Sequence, residues 1–447
     1  MLRLPKAAEP LVTAFSIAFT HPTFQRAVVL LFGAILSLHH RTVTAMLAVV
    51  GALAKGHWSD FHRVLCCRVW SCRPLGRVLA ALVLELIPAE QPVICPVDDT
   101  TPQHKGRCVY GKGRHRDACR STHSHVVWVW GHKWVTLAIN VKFAFATRPW
   151  ALPVLCALYR SLELSRQEQR RHRTPIELAM PLLALLMHWF PRRKFILLGD
   201  GGYASHSLAR FCHRHGSHAA LVSRFHPQAN LYAPPPTAKP RTGRPRLKGR
   251  KLPSPGTVVQ TAKARRFTVH WYGVARRRVE LIWGQGQWYK GGDGLVPVRW
   301  VFVRDLQGTH RDEYFYSTDP TMPPEQIVSL YTRRWSIEVT FQEVRVHLGL
   351  STPRNWCKQS VLRTVPCLLG LFSIISLIFH RHTHGQGVRP TGFAWYAKKE
   401  VTFADAMACV RRLCWTEVLQ QAWKHGGVSK LSRPLRITLL DHLSRTT

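Results

Sequence analysis

From about residue 89 the chain is written in short apolar runs that stop abruptly at acids. Val93-Ile94-Cys95-Pro96-Val97 runs into Asp98-Asp99-Thr100-Thr101, and Lys194-Phe195-Ile196-Leu197-Leu198-Gly199 runs into Asp200. Between them, Trp134 to Val141, continuing toward Phe145, reads as a strand. Thr174-Pro175 opens a helix to Trp189 with Glu177 in its first turn. Ala219-Ala220-Leu221-Val222-Ser223 is a further strand. Strands alternating with helices predict an α/β sheet whose functional groups sit at the carboxyl ends of strands.

Segments of other texture flank this pattern. Residues 1–88 carry apolar residues at helical spacing through Ala45 to Val50 and Val78 to Leu82, with Ser59 placed to cap a helix between them. Helix, polar break and basic helix fit a helix-turn-helix DNA reader and fit an ordinary helical bundle equally well. Residues 226–256 are Pro-rich and basic without apolar periodicity. Strand-like pieces follow at Arg266–Trp271, Val279–Trp283 and Val298–Val303, and the chain turns helical from 322. The expected divisions are therefore a helical segment 1–88, a first core part 89–225, a basic loop and β insertion 226–310, a second core part 311–395 and a basic helical tail 396–447.

Charge narrows the partner. The 63 Lys and Arg against 24 Asp and Glu give a formal net charge of +39, which repels itself unless a polyanion relieves it. Nucleic acid is the expected partner, because each neutralised phosphate releases a counterion. The 12 cysteines include no C-x-x-C pair, and no secretory signal opens the chain, so free thiols in a reducing cytosol are expected. The apolar runs 27–38 and 365–379 fall short of a bilayer span and read as buried core helices, with no membrane role.

An acid at a strand end is more often a turn or cap residue than a ligand, so Asp98, Asp99 and Asp200 decide nothing alone. Adjacent strand residues face opposite sides, so only one of Asp98 and Asp99 can join Asp200. A third feature carries more weight. Pro323-Pro324-Glu325 starts a helix, and at 100° per residue Tyr331, Arg334, Glu338 and Arg345 share an arc of about 60° on it. The plain alternative is a solvated face in which Arg334 and Glu338 form an i,i+4 pair.

That spacing resembles the Tyr-Arg-Glu-Lys signature of bacterial DDE-class insertion-sequence transposases (the insertion sequence 4 / insertion sequence 701-like group). The pattern is Tyr, two residues, Arg, three, Glu, six, Lys, and here Arg345 stands at the Lys position. Asp98-Asp99-Thr100 is similar to the first acidic site of that group, and Leu198-Gly199-Asp200-Gly201-Gly202-Tyr203 to its second. The resemblance covers roughly residues 90–380. It implies a ribonuclease-H-like core interrupted by a β-rich insertion, with an N-terminal helical domain. It also implies that Asp98 (or Asp99), Asp200 and Glu338 hold two Mg2+ ions, with Mn2+ as a substitute. Hard cations take such oxygen ligands, and two of them suit in-line phosphoryl displacement. Tyr331, Arg334 and Arg345 would grip the DNA backbone. Arg at the Lys position keeps the charge and changes its geometry from a point to a fork.

The activity implied is metal-dependent cleavage and strand transfer at mobile-element ends, by a homodimer on double-stranded end and target DNA, in a bacterial cytoplasm and associated with the nucleoid. The alternative is a catalytically inactive, transposase-derived DNA-binding protein. Three secondary features remain. Arg244 and Arg246, in Thr242-Gly243-Arg244-Pro245-Arg246, resemble a minor-groove hook, with generic phosphate contact as the alternative. His104, Cys108, His115, Cys119, His123 and His125 fit no standard zinc spacing and suggest a hairpin beside the first acid. Trp335 reads as core.

Overall fold

The computed structural model describes residues 4–51, 54–117, 120–236, 246–271, 274–384, 388, 390, 397–425, 435, 439–440 and 443–444. Twelve strands occur among them. These are β1 (Val93–Thr100), β2 (Gly113–Arg116), β3 (Trp128–Gly131), β4 (Lys133–Val141), β5 (Trp150–Tyr159), β6 (Phe195–Leu198), β7 (Ala219–Arg224), β8 (Leu231–Tyr232), β9 (Arg265–Trp271), β10 (Val274–Lys290), β11 (Gly294–Asp305) and β12 (Glu313–Ser317). All but β2 and β3, which pair with each other, join one mixed sheet ordered β5-β4-β1-β6-β7-β12-β11-β10-β8, with β9 also on β10. β1 runs antiparallel to β4 and parallel to β6, β4 antiparallel to β5, and β6 parallel to β7. The uninterrupted apolar runs Val93–Val97 and Phe195–Leu198 are buried throughout, as expected of parallel strands covered on both faces.

The strands after residue 226 continue this same sheet, because β12 pairs antiparallel with β7 and β11 with β12. The long β10–β11 hairpin turns at Gly291-Gly292-Asp293-Gly294, where Gly292 and Gly294 take φ of +81° and +84°. Side chains other than glycine are strained there.

Thirteen helices occur among the described residues, some against the sheet and others packed on neighbouring helices. They are α1 (Glu9–Thr13), α2 (His21–Leu36), α3 (Val43–Val50), α4 (Trp58–Cys66), α5 (Cys72–Leu84), α6 (Leu162–Gln167), α7 (Pro175–Trp189), α8 (His206–Arg214), α9 (Pro255–Thr261), α10 (Pro324–Thr332), α11 (Trp335–His347), α12 (Lys358–Thr383) and α13 (Phe403–His425). α7 starts with a capping box, Thr174 and Glu177 satisfying each other's backbone N–H. α4 is capped by His57, whose side chain accepts from the Ser59 N–H, so Ser59 lies inside the helix rather than at its cap. The N-terminal helices share one hydrophobic core with β1, β4, β5, α12 and α13.

α12 is longer than its apolar run. At 26 residues it is long and apolar enough to cross a membrane, yet most of it is buried inside the fold against β5, α5 and α13. Three buried arginines bind helix ends to this core. Arg363, on α12, donates to the carbonyls of Val64, Leu65, Arg68 and Trp70 at 2.7–3.3 Å. Arg411, on α13, donates to Ile35 and Ser37 at the end of α2. Arg41 donates to Ala34, Leu38, His39 and His347. Carbonyls at helix C-termini have no partner within the helix and carry partial negative charge, so part of the positive excess works inside the protein.

Candidate active site

The site is built at the carboxyl ends of three adjacent parallel strands. β1 and β6 pair Pro96 with Leu198, and β6 and β7 pair Leu198 with Val222. Two residues further along the same register stand Asp98, Asp200 and Arg224, one per strand. Neighbouring strands lie about 4.8 Å apart, so two carboxylates and a guanidinium form a short row.

Asp98 lies on the Asp200 side of the sheet. Its Oδ2 is 3.1 Å from Arg334 Nη1, and its Oδ1 accepts from the Asp99 backbone N–H at 2.7 Å. Asp99 instead meets Lys133 Nζ on β4 at 3.2 Å. The strand pleat therefore separates the two candidates for the first acid. Burial pushes the Asp98 carboxyl up to about 7; Arg334 pulls it down, and Asp200 adds to the rise. Asp200 begins a 3-10 turn, Gly201–Tyr203, and its Oδ1 accepts from the N–H groups of Gly202 and Tyr203 at 2.8 and 3.2 Å.

Glu338 enters from α11, which packs against β1 and β5 and is pinned by Thr340 Oγ1 donating to the Ala151 carbonyl at 2.8 Å. Arg334 Nη1 lies 2.7 Å from Glu338 Oε1, so one guanidinium bridges Glu338 and Asp98. Burial works against the Arg334 charge, but Glu338, Tyr331 and Asp98 outweigh it and hold the group firmly protonated.

The signature residues do not share one helix. α10 ends at Thr332 and α11 begins at Trp335, with i→i+3 bonds across the turn. The Arg333 carbonyl accepts from Asn140 Nδ2 of β4 and from Ser336 Oγ, which ends the ladder of the first helix. Tyr331 therefore closes α10, while Glu338 and Arg345 belong to α11. Tyr331 is 2% exposed and stacked on Phe315 at 4.2 Å. In this conformation its hydroxyl is buried without a hydrogen-bond partner rather than turned to the surface. Arg345 is exposed, and its Nη2 donates to Thr100 Oγ1 at 2.6 Å, just beyond the acids of β1.

Sequence reasoning passed over three residues of this site: Lys133, Asn140 and Arg224. Arg224 comes two residues after the apolar run 219–222, as Asp200 comes two after Leu198, so the same strand-end rule would have found it. It pairs with Glu313 at 2.6 Å and lies over the Tyr331 ring at 5.9 Å. Trp335, expected in the core, is 51% exposed beside Arg334, because the turn at 333–334 rotates it outward. Arg246 is exposed, and Arg244 lies outside the described residues. His104 and His115 are partly or fully buried, Cys108, His123 and His125 are exposed, and Cys119 lies outside the described residues.

Among the described residues no three His, Cys, Asp or Glu side chains form a ready-made metal cage. The donor chemistry nonetheless suits a divalent cation. Asp98 and Asp200 are hard oxygen ligands near enough for Asp200 to add to the rise of Asp98, and Asp98 and Glu338 already share one cationic group.

No curated protein matches the chain. Among solved structures, the piggyBac transposase in its synaptic complex with hairpin DNA, determined by cryo-electron microscopy, aligns over 97% of this chain and 80% of its own. The identity is 12% and the TM-score 0.39. A family model described as DDE superfamily endonuclease matches residues 14–279, more than half of the 447 residues, and the chain thus belongs to the DDE superfamily of endonucleases.

Proposed function

We propose that this endonuclease is a transposase that cleaves DNA at mobile-element ends and joins the freed 3′ ends to target DNA. The observation that carries the reading is the row of Asp98 and Asp200 at adjacent strand ends, closed from above by Glu338 through Arg334. The family match ends at residue 279, so Glu338 rests on this geometry and on the signature spacing. The order β5-β4-β1-β6-β7, with two antiparallel then two parallel pairings, supports a ribonuclease-H-like core.

DDE endonucleases generally use divalent metal ions, and Asp98, Asp200 and Glu338 are the residues that would hold them here. Two Mg2+ ions, or Mn2+, would supply Lewis-acid activation of the attacking and leaving oxygens. The protein's own groups prepare that site. Arg334 offsets part of the negative charge of Asp98 and Glu338. Asp200 keeps its carboxylate fixed through two backbone N–H groups, with Oδ2 outside those bonds. Arg224, at one end of the row, and Arg345, beside Thr100, would offer forked donors to the phosphates on either side of the cut. Duplex DNA is the partner, held by two copies of the chain at paired ends.

The test is Mg2+-dependent cleavage of DNA carrying the flanks of the coding element, wild type against Glu338→Ala. Cleavage abolished by the substitution, with DNA binding retained, supports the reading. Tight binding with no cleavage by either protein favours the inactive DNA-binding alternative.

A further inference from the structure

Between β1 and β4 the chain leaves the main sheet to form the β2–β3 hairpin, and this hairpin has two unlike faces. Inward lie Gly113, His115, Val129 and Gly131; outward lie Arg114, Arg116, Trp128 and Trp130. Cross-strand register sets Arg114 opposite Trp130 and Arg116 opposite Trp128. The indoles of Trp128 and Trp130 are 50% and 56% exposed. Arg114 lies over the Trp128 ring at 4.8 Å and Lys112 over the Trp130 ring at 5.4 Å. A groove of about 720 Å³ opens beside them, lined by Lys105, Arg107, Lys112, Arg120 and the two tryptophans among others.

Backbone hydrogen bonds tie the hairpin to the segment that follows β1. The His104 N–H donates to the Trp130 carbonyl at 3.0 Å and the His132 N–H to the Pro102 carbonyl at 3.1 Å, two residues beyond Thr100. A Cβ on Gly131 would meet the Pro102 carbonyl at 2.3 Å, so this close approach requires glycine.

We propose that the hairpin is a stacking platform for an unpaired DNA strand next to the cleavage site. Two exposed indoles on one strand face are a liability in water. Ringed by cations, they match the alternation of aromatic base and phosphate in a single strand, where base–aromatic stacking is available. Duplex bases are stacked on one another and offer the indoles no free face. The six cations Lys105, Arg107, Lys112, Arg114, Arg116 and Arg120 face one acid of the same segment, Asp117, which pairs with Arg120 at 2.7 Å. Charge thus selects a polyanion over a protein surface. The inference rests on the proposed reading for its location alone, since the hairpin adjoins the strand end that carries Asp98.

The test uses the full chain in EDTA and the anisotropy of a labelled oligothymidylate, against a labelled mixed-sequence duplex of equal length. Each of Trp128→Ala and Trp130→Ala should weaken single-strand binding roughly 5- to 100-fold, with a much smaller change for the duplex. Phe at both positions should restore most of the loss. Single-strand affinity unchanged when Trp128→Ala and Trp130→Ala are combined, or single-strand and duplex affinities falling equally, overturns the proposal. A changed oligomeric state with single-strand binding intact also overturns it and makes the face a protein contact. Mg2+-dependent cleavage by the wild type is scored separately. Tryptophan-dependent single-strand binding without cleavage keeps the platform and refutes the nuclease reading; cleavage with tryptophan-independent binding does the reverse.

Discussion

Replacing Arg334 by Leu keeps the apolar stem and removes the cation that Asp98 and Glu338 share. The Arg334 and Asp98 side chains are 10% and 17% exposed, so water replaces the lost partner poorly, whereas Glu338, at 36%, can rehydrate. Breaking a buried pair from one side costs about 3–5 kcal/mol. With an unfolding entropy of ~2.1 cal/mol/K per residue, the 447-residue chain should then lose about 3–5 °C in Tm at pH 8 without metal. The loss should shrink with acid. Asp98 already stands at about 7 against an ordinary 3.8, and losing Arg334 raises it further. A carboxyl raised in the folded state contributes stability that is full below 3.8 and lost as pH rises through 7 and above. At pH 5 Asp98 is protonated in both proteins, so the gap should narrow there by up to about 1.4 kcal/mol, the share set by one pH unit above 7. Saturating Mg2+ should stabilise the variant more than the wild type, since a ligand at a hundred times its Kd adds about 2.7 kcal/mol. Differential scanning calorimetry at pH 8 and pH 5, with and without Mg2+, reads all of this. Equal Tm values at pH 8, or a gap that does not narrow at pH 5, would refute the reasoning.

Two further predictions concern the scaffold. Arg363→Met leaves four carbonyls between Val64 and Trp70 without their donor; with charged hydrogen bonds at ~1.5–3 kcal/mol each, a loss of at least about 3 kcal/mol is expected. Lys, a point charge, should recover little of it in urea titration, and full recovery by Lys would contradict the forked-cap account. His115, 3% exposed, is held down to about 4 by burial and then by nearby Lys133 and His132. A depressed histidine contributes stability present above 6.5 and lost as pH falls toward 4, so His115→Phe should gain on the wild type by up to about 3 kcal/mol over that window. A difference in stability that is flat with pH would remove this role.

Much of the candidate site's placement was legible because its rule is local. An apolar run buried on both faces ends where the sheet ends, so Asp98 and Asp200 could be placed from β1 and β6 alone. What was illegible depends on partners distant in sequence. β5 contains Pro153, which reads against a strand, yet β5 is an edge strand with a register shift beside that residue, where a missing N–H costs little. The single helix expected through Tyr331 and Glu338 is broken by Asn140, nearly two hundred residues earlier. The large positive charge suggested DNA throughout, but Arg41, Arg363 and Arg411 serve helix ends inside the core.

The central claim is tested most directly by Mg2+-dependent cleavage compared across Asp98→Asn, Asp99→Asn, Asp200→Asn and Glu338→Gln, with DNA binding measured on each. The account predicts that the substitutions at 98, 200 and 338 each lower the rate about a thousandfold or more, the several kcal/mol a metal ligand supplies, while Asp99→Asn, facing Lys133, cleaves within about tenfold of wild type. An inactive Asp99→Asn beside an active Asp98→Asn, or cleavage that survives Glu338→Gln, would contradict it.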